Sequence, residues 1–214
     1  MRRRTEQCSL ISFSGSDNLL GASTGLVEAD ETAVGKRKYH RGKRQRQAGT
    51  QWVQTALEVD SLPDGFQSPK RLRAAFVEDR TAQTLQSNLK QWVDDEARVQ
   101  TDGWKAYYSL DTEKHDVVNH SKKFVQYRRG RKITINALEG CHGVIKRKAR
   151  NMNLFVGHPT SSATSLQLKL DELVFRFNNR SHDDLFVVFL GILLANRHSQ
   201  PPDTLLALFK RLHL

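Results

Sequence analysis

Three acidic residues stand where a carboxylate is awkward unless a cation meets it. Asp30 lies inside the strand-like run GLVEADETAVG, Asp102 sits where ARVQTD gives way to GWKAYYSL, and Glu139 falls on the helical segment INALEGCHGVIKRKARN beside basic residues. Oxygen-only, carboxylate-rich sites suit hard ions such as Mg²⁺ or Mn²⁺. Two such ions flanking a phosphodiester activate an attacking hydroxyl and stabilise the leaving oxygen, which requires carboxylates from separate elements to meet at one point. The plainer alternative is ion pairing or capping, and Asp102 is well placed to cap a helix beginning at GWKAYY. On the residues alone both readings stay open.

The helix adds to the first reading. Glu139 and Lys146 are about two turns apart and share a face, so a cation would follow the acid along the helix. Asn136, one turn before Glu139, could orient it or a bound water, and Lys148 and Arg150 extend a positive surface suited to phosphates. Gly140 and Gly143 each cost this helix up to about 1 kcal/mol relative to Ala, so it needs tertiary support. Among neighbouring acids, Glu31 points to the opposite strand face from Asp30, while Glu28 shares its face and is a reserve candidate. His120 could contact DNA or a metal-bound water but reads more simply as a structural hydrogen-bonding residue, and His142, on the Glu139 helix, reads as packing.

Presenting the three acids together needs a sheet and a helix. Alternating runs predict strands over GLVEADETAVG, TQWVQTALEVD and RLRAAFVED, the first two forming a hairpin with a long charged connection. TAQTLQSNLKQWVDDE has helical spacing at Leu85, Leu89, Trp92 and Val93, and ARVQTD is a further short strand. A short helix (GWKAYYSL), an extended piece (DVVNHSKKFV), a basic loop (YRRGRK), the Glu139 helix and the amphipathic helix SLQLKLDELVFRFNNR complete the order. The economical architecture is α/β, a mixed sheet flanked by helices. Trp52, Trp92 and Trp104 are expected in the core or at hinges, and Arg176 and Arg180 either reach DNA or pair with Asp171 and Glu172.

Across 214 residues, 34 Lys plus Arg oppose 23 Asp plus Glu, a formal charge of +11 that favours a polyanionic partner, nucleic acid before a membrane surface. The densest charge lies in two runs: Lys36, Arg37, Lys38, Arg41, Lys43 and Arg44, then Arg128, Arg129, Arg131 and Lys132. Each is open to reading as a DNA-backbone clamp or a solvated loop, and the first also as a nuclear-import signal. Cys8 and Cys141 are too few for a disulfide framework or a cysteine zinc site. The run Leu185–Ala195 is about half the length that crosses a bilayer and is expected to be a buried helix.

Five segments, VEADET, QTDGWKAYYSL, VNHSKKFV, NALEGCHGVIKRK and LDELVFRFNNR, resemble in order the blocks of DDE-type insertion-sequence transposases of the ISXO and Merlin type, over roughly Leu26 to Arg180. Each is weak alone; five in order make a specific signal. The resemblance implies an RNase H-like fold, cut-and-paste transposition, Asp30, Asp102 and Glu139 as ligands of two Mg²⁺ (or Mn²⁺) ions, and DNA, both element ends and target, as partner. It gives the organisation 1–24 as a poorly ordered leader, 25–181 as the catalytic domain and 182–214 as a helical tail. Family members carry an N-terminal DNA-reading module and nothing before Gly25 fits one, so DNA binding is expected to be salt-sensitive and largely sequence-independent.

Three functions are therefore compared: a transposase that cuts and joins, an RNase H-like nuclease that only cuts, and a non-catalytic DNA-binding relic. Retention of all three acids and Lys146 speaks against the third, and strand transfer would separate the first two. Bringing two DNA ends together makes a homodimer the natural assembly, although no heptad pattern accompanies that expectation. The place of action is wherever genomic DNA lies, nucleus or nucleoid.

Overall fold

The computed structural model describes residues 19–34, 51–62, 66–118, 125–128, 131–151 and 163–185. Their elements follow the expected order: β1 (Leu26–Val34), β2 (Gln51–Ser61), β3 (Gln67–Val77), α1 (Ala82–Trp92), β4 (Arg98–Asp102), a 3₁₀ turn (Lys105–Tyr107), β5 (His115–Val118), β6 (Gln126–Arg128), β7 (Arg131–Ile133), α2 (Asn136–Asn151) and α3 (Ala163–Asn178). Strands β3, β2, β1, β4 and β5 form one sheet in that spatial order. β1 to β3 are an antiparallel meander, whereas β4 pairs parallel to β1 and β5 parallel to β4. This is the mixed α/β sheet of an RNase H-like fold.

A parallel strand cannot be reached by a hairpin, and α1 is the crossover that carries the chain from edge strand β3 to β4. Its start is fixed by Thr81, whose hydroxyl accepts the Thr84 amide at 3.3 Å, and it stops where Val93 returns to extended backbone. Alternation along the strands loads both faces of the sheet. Val27 and Ala29 join Ala56, Leu85, Leu89, Val93 and Tyr107 on the α1 side. Val53, Leu57, Val59 and Leu72 pack with Leu138, Cys141, Ile145, Leu170 and Leu173 on the α2 and α3 side. Arg180, past the end of α3, donates to the carbonyls of Lys70 and Pro69, tying that helix to β3, while Arg176 pairs with Glu172 at 2.9 Å.

Two expectations need correction. Residues 19–24, assigned to a poorly ordered leader, belong to the domain: Leu20 is buried, forms a parallel bridge with Val93 and donates its amide to Trp92 O at 2.7 Å. The basic YRRGRK segment, read as a loop, supplies the antiparallel pair β6 and β7, with Tyr127 opposite Lys132. No helix among the described residues is long and apolar enough to cross a membrane; the apolar run beyond Leu185 lies outside them.

Gly21 is where the backbone requires glycine, with φ of +84° and a would-be Cβ only 2.4 Å from the Cβ of Ala97. Gly143, in α2, has open space in the same direction. Gly21→Ala is therefore expected to destabilise by about 3 kcal/mol, through left-handed strain plus overpacking. Gly143→Ala is expected to stabilise by up to about 1 kcal/mol. Urea unfolding of both variants beside the parent checks this; opposite signs are required.

Candidate active site

β1 and β4 run side by side in the same direction, with Val27 opposite Val99, Glu28 opposite Gln100 and Ala29 opposite Thr101. Continuing that register one residue brings Asp30 level with Asp102, the last residue of β4. The two-residue period of a strand puts both acids on the face covered by α2. Asp30 is 16% exposed at its side chain. Its Oδ1 accepts the Glu31 amide at 2.7 Å, and Asp102 Oδ1 accepts the Trp104 amide at 2.9 Å. Burial, followed by the nearby Asp102 carboxylate, pushes the Asp30 carboxyl up to about 8 against the opposing pull of Arg80. Two acids are thus held together in partial burial, a placement that a divalent cation would relieve.

The third acid arrives on α2. Glu139 stands in the first turn and is exposed, as are Asn136 at the helix start and Lys146 and Lys148 further along. Among the described residues, no three His, Cys, Asp or Glu side chains come close enough to hold a metal ion together. Asp30 and Asp102 interact across β1 and β4, and no described group of three such side chains brings Glu139 together with them.

His142, read from the sequence as packing, reaches the site. It is buried, its Nε2 lies 2.7 Å from Thr55 Oγ1, and its Nδ1 lies 3.8 Å from Asp30 Oδ2. Thr55 donates its hydroxyl proton to the Asp30 carbonyl at 2.9 Å, so its oxygen accepts from His142 Nε2–H and leaves the Nδ1 lone pair facing Asp30. Burial, then Lys146, lowers the imidazole to about 4. His142 is thus neutral near pH 7, tied through Thr55 to the Asp30 main chain, with a lone pair facing a carboxyl that burial keeps protonated. Its signal in the sequence was the three-residue step from Glu139.

The other face of β1 carries a latch. Glu31 pairs with Arg80 at 2.8 Å and accepts from the Tyr107 hydroxyl. The Arg80 guanidinium lies 4.2 Å from the ring centre of Trp52 and 4.0 Å from that of Trp104, and Trp104 Nε1 donates to the Arg80 carbonyl at 3.1 Å. Trp104 follows Asp102 by two residues, so this stack holds the turn that Asp102 caps. Trp52 and Trp104 therefore serve as the two sides of a cation–π sandwich, and Trp104 remains 37% exposed.

Glu28, the reserve candidate, is fully buried beneath Asp30, with Oε2 accepting the Leu138 amide at 2.7 Å. Of the basic residues, Arg131, Lys146 and Lys148 are exposed and Lys132 half-buried. Lys36, Arg37, Lys38, Arg41, Lys43, Arg44, Arg129 and His120 lie outside the described residues, as do the side chains of Arg128 and Arg150.

A family model described as an ISXO2-like transposase domain matches residues 22–178. No curated protein and no solved structure matches the chain.

The acids set a pH dependence. Burial holds Glu28 and Asp30 up to about 8 and Asp171 to about 7, so above ordinary carboxylate values the folded chain keeps protons that the unfolded chain has released. The stability these protonated acids contribute is lost as pH rises towards 8. His142 and His115, lowered by burial, act in the opposite direction but only up to their ordinary 6.5. Between pH 6.5 and 8 unfolding free energy in EDTA is therefore expected to fall, by on the order of 1 kcal/mol per pH unit for each acid still protonated. Asp30→Asn should flatten the slope; an unchanged slope in that variant would contradict the assignment.

Proposed function

The chain belongs to the ISXO2-like transposase domain family, and from that premise we propose that it cuts DNA strands and joins a freed 3′-hydroxyl to target DNA at a site built from Asp30, Asp102 and Glu139. The observation that carries this reading is the level placement of Asp30 and Asp102 on adjacent parallel strands, with the Asp30 carboxyl held up by burial and by its partner. An oxygen-only pair of this kind fits a hard divalent cation. Two Mg²⁺ or Mn²⁺ ions, when bound, supply activation of the attacking hydroxyl and stabilisation of the leaving oxygen.

The chain's own residues do the rest. Thr55 links His142 Nε2 to the Asp30 carbonyl, and the Trp104 amide holds the carboxylate of Asp102. Glu139, exposed on the first turn of α2, would supply the third carboxylate. Lys146 and Lys148 lie beyond it on the same helix, where they would take phosphates flanking the scissile bond, and Arg131 adds charge from the β6–β7 pair.

Supercoiled plasmid is expected to be nicked by the purified chain with Mn²⁺. Asp102→Ala, Asp30→Asn and Glu139→Gln should each lower the rate by roughly a thousandfold, the equivalent of several kcal/mol of lost transition-state stabilisation. A folded Asp102→Ala that nicks like the parent would sink the proposal. Strand joining is read separately with short duplexes ending in a free 3′-hydroxyl: transfer products are expected, and hydrolysis alone would mark an RNase H-like nuclease.

DNA binding is expected to weaken steeply with salt. Ala at Arg131, Lys146 or Lys148 should reduce the slope of log affinity against log salt by about one each, equally on unrelated sequences. Strong selectivity for one sequence at these positions would contradict a phosphate-contact role.

A further inference from the structure

Beneath the row formed by Asp30 and Asp102 lies a second polar row on the same face. Glu28 and Gln100 are register partners across β1 and β4, each two residues before its acid, and both are buried, at 0% and 3% exposure. Neither packs as an ordinary core side chain. Glu28 Oε2 accepts the Leu138 amide at 2.7 Å, while Gln100 Oε1 accepts the Thr134 amide at 3.1 Å and its Nε2 donates to the Lys132 carbonyl at 3.4 Å. Between these anchors, the Asn136 amide meets Thr134 Oγ1 at 3.2 Å, and the Glu139 amide makes the helical bond to Ile135 O at 3.0 Å.

All of these contacts hold main chain at the entry to α2. The Leu138 amide is among the first of the helix, which have no partner within it, and its acceptor comes from the residue two before Asp30. The next residue is Glu139. The height and rotation at which α2 begins are therefore set by side chains of the two strands that carry Asp30 and Asp102. Apolar packing of Leu138, Cys141 and Ile145 alone would tolerate small slips.

Glu28 also carries a burden that stability does not explain. Its Oε1 is buried and has no hydrogen-bond partner among the described residues, and such an orphaned oxygen normally costs stability. An apolar residue of the same size would remove that orphan but leave the Leu138 amide without its acceptor.

We propose that Glu28 and Gln100 act as a positioning clamp that fixes Glu139 relative to Asp30 and Asp102, an inference that rests on the role given to those three acids above. Glu28 and Gln100 do not touch substrate; they act through the backbone of residues 132–138.

The test uses the full chain carrying Glu28→Leu, Glu28→Gln or Gln100→Leu, with three readouts. The first is hydrogen exchange at the start of α2, the second Mn²⁺ affinity, the third Mn²⁺-dependent nicking with kcat separated from the KM for DNA. Glu28→Leu exchanges an orphaned oxygen for an unpartnered Leu138 amide, so it is expected to unfold within a few degrees of the parent and to exchange that amide roughly fivefold faster or more. It should bind Mn²⁺ more weakly and lose roughly a hundredfold in kcat, the scale of a misplaced catalytic group, with KM unchanged. Glu28→Gln keeps the accepting oxygen and should restore most of the exchange protection and most of kcat. Parent-like exchange and kcat in both Leu variants would overturn the clamp, as would thermal stability and activity falling together with no rescue by Gln. If Glu28→Leu fails to fold, Gln100→Leu and Glu28→Gln are read by the same criteria. A parent that neither binds Mn²⁺ nor nicks would remove the catalytic reading instead, and the clamp would then stand or fall on Leu138 exchange.

Discussion

Everything at this site depends on β1 and β4 lying parallel and in contact. Parallel neighbours end at the same edge of a sheet, so acids at matching positions arrive side by side; an antiparallel partner would send the second acid to the far edge. That geometry obliges the chain to leave β3, cross the sheet as α1 and re-enter beside β1. The hydrophobic cores on both faces serve this pairing, one packing the crossover and the other seating α2 and α3. A one-residue slip between β1 and β4 would exchange polar for apolar faces throughout, and Val27 and Ala29 in the core oppose it.

The electrostatics run against stability in a localised way. On the α1 face, burial raises Glu31 above its ordinary value while Tyr107 and Arg80 oppose it. Elsewhere Glu58 meets Arg71 at 2.6 Å with Ser23 and Thr24, and these partners outweigh its burial to lower its pKa. On the α2 face, Asp30 and Glu28 sit in surroundings that push both up to about 8. One strand thus carries, on one side, a buried acid opposed by a cation and a phenol and, on the other, two acids held up to about 8. Strain of that kind marks the side where chemistry is expected.

The sheet and helices were legible because their signals are local. The short strand-like runs of β1 and β2, buried on both faces, the spacing of Leu85 and Leu89, and the stripe through Leu170 and Leu173 are each readable within a dozen residues. What escaped was set at long range. Leu20 gains its place by bridging to Val93, and His142 becomes part of the site through Thr55 and Asp30 on two different strands. Arg80 looks like an ordinary charge after a strand until two tryptophans close on it. YRRGRK has too little apolar content to announce strands, and antiparallel pairing of β6 with β7 makes them.

The Arg80 sandwich has an optical consequence. The chain has three tryptophans, and two of them, Trp52 and Trp104, lie against one guanidinium. An indole facing a cation emits differently from one facing solvent, so the ultraviolet emission of the whole molecule is weighted towards a single spot beside Asp102. The protein carries its own fluorophore pair at that turn, and any rearrangement there would be visible in a cuvette without a label.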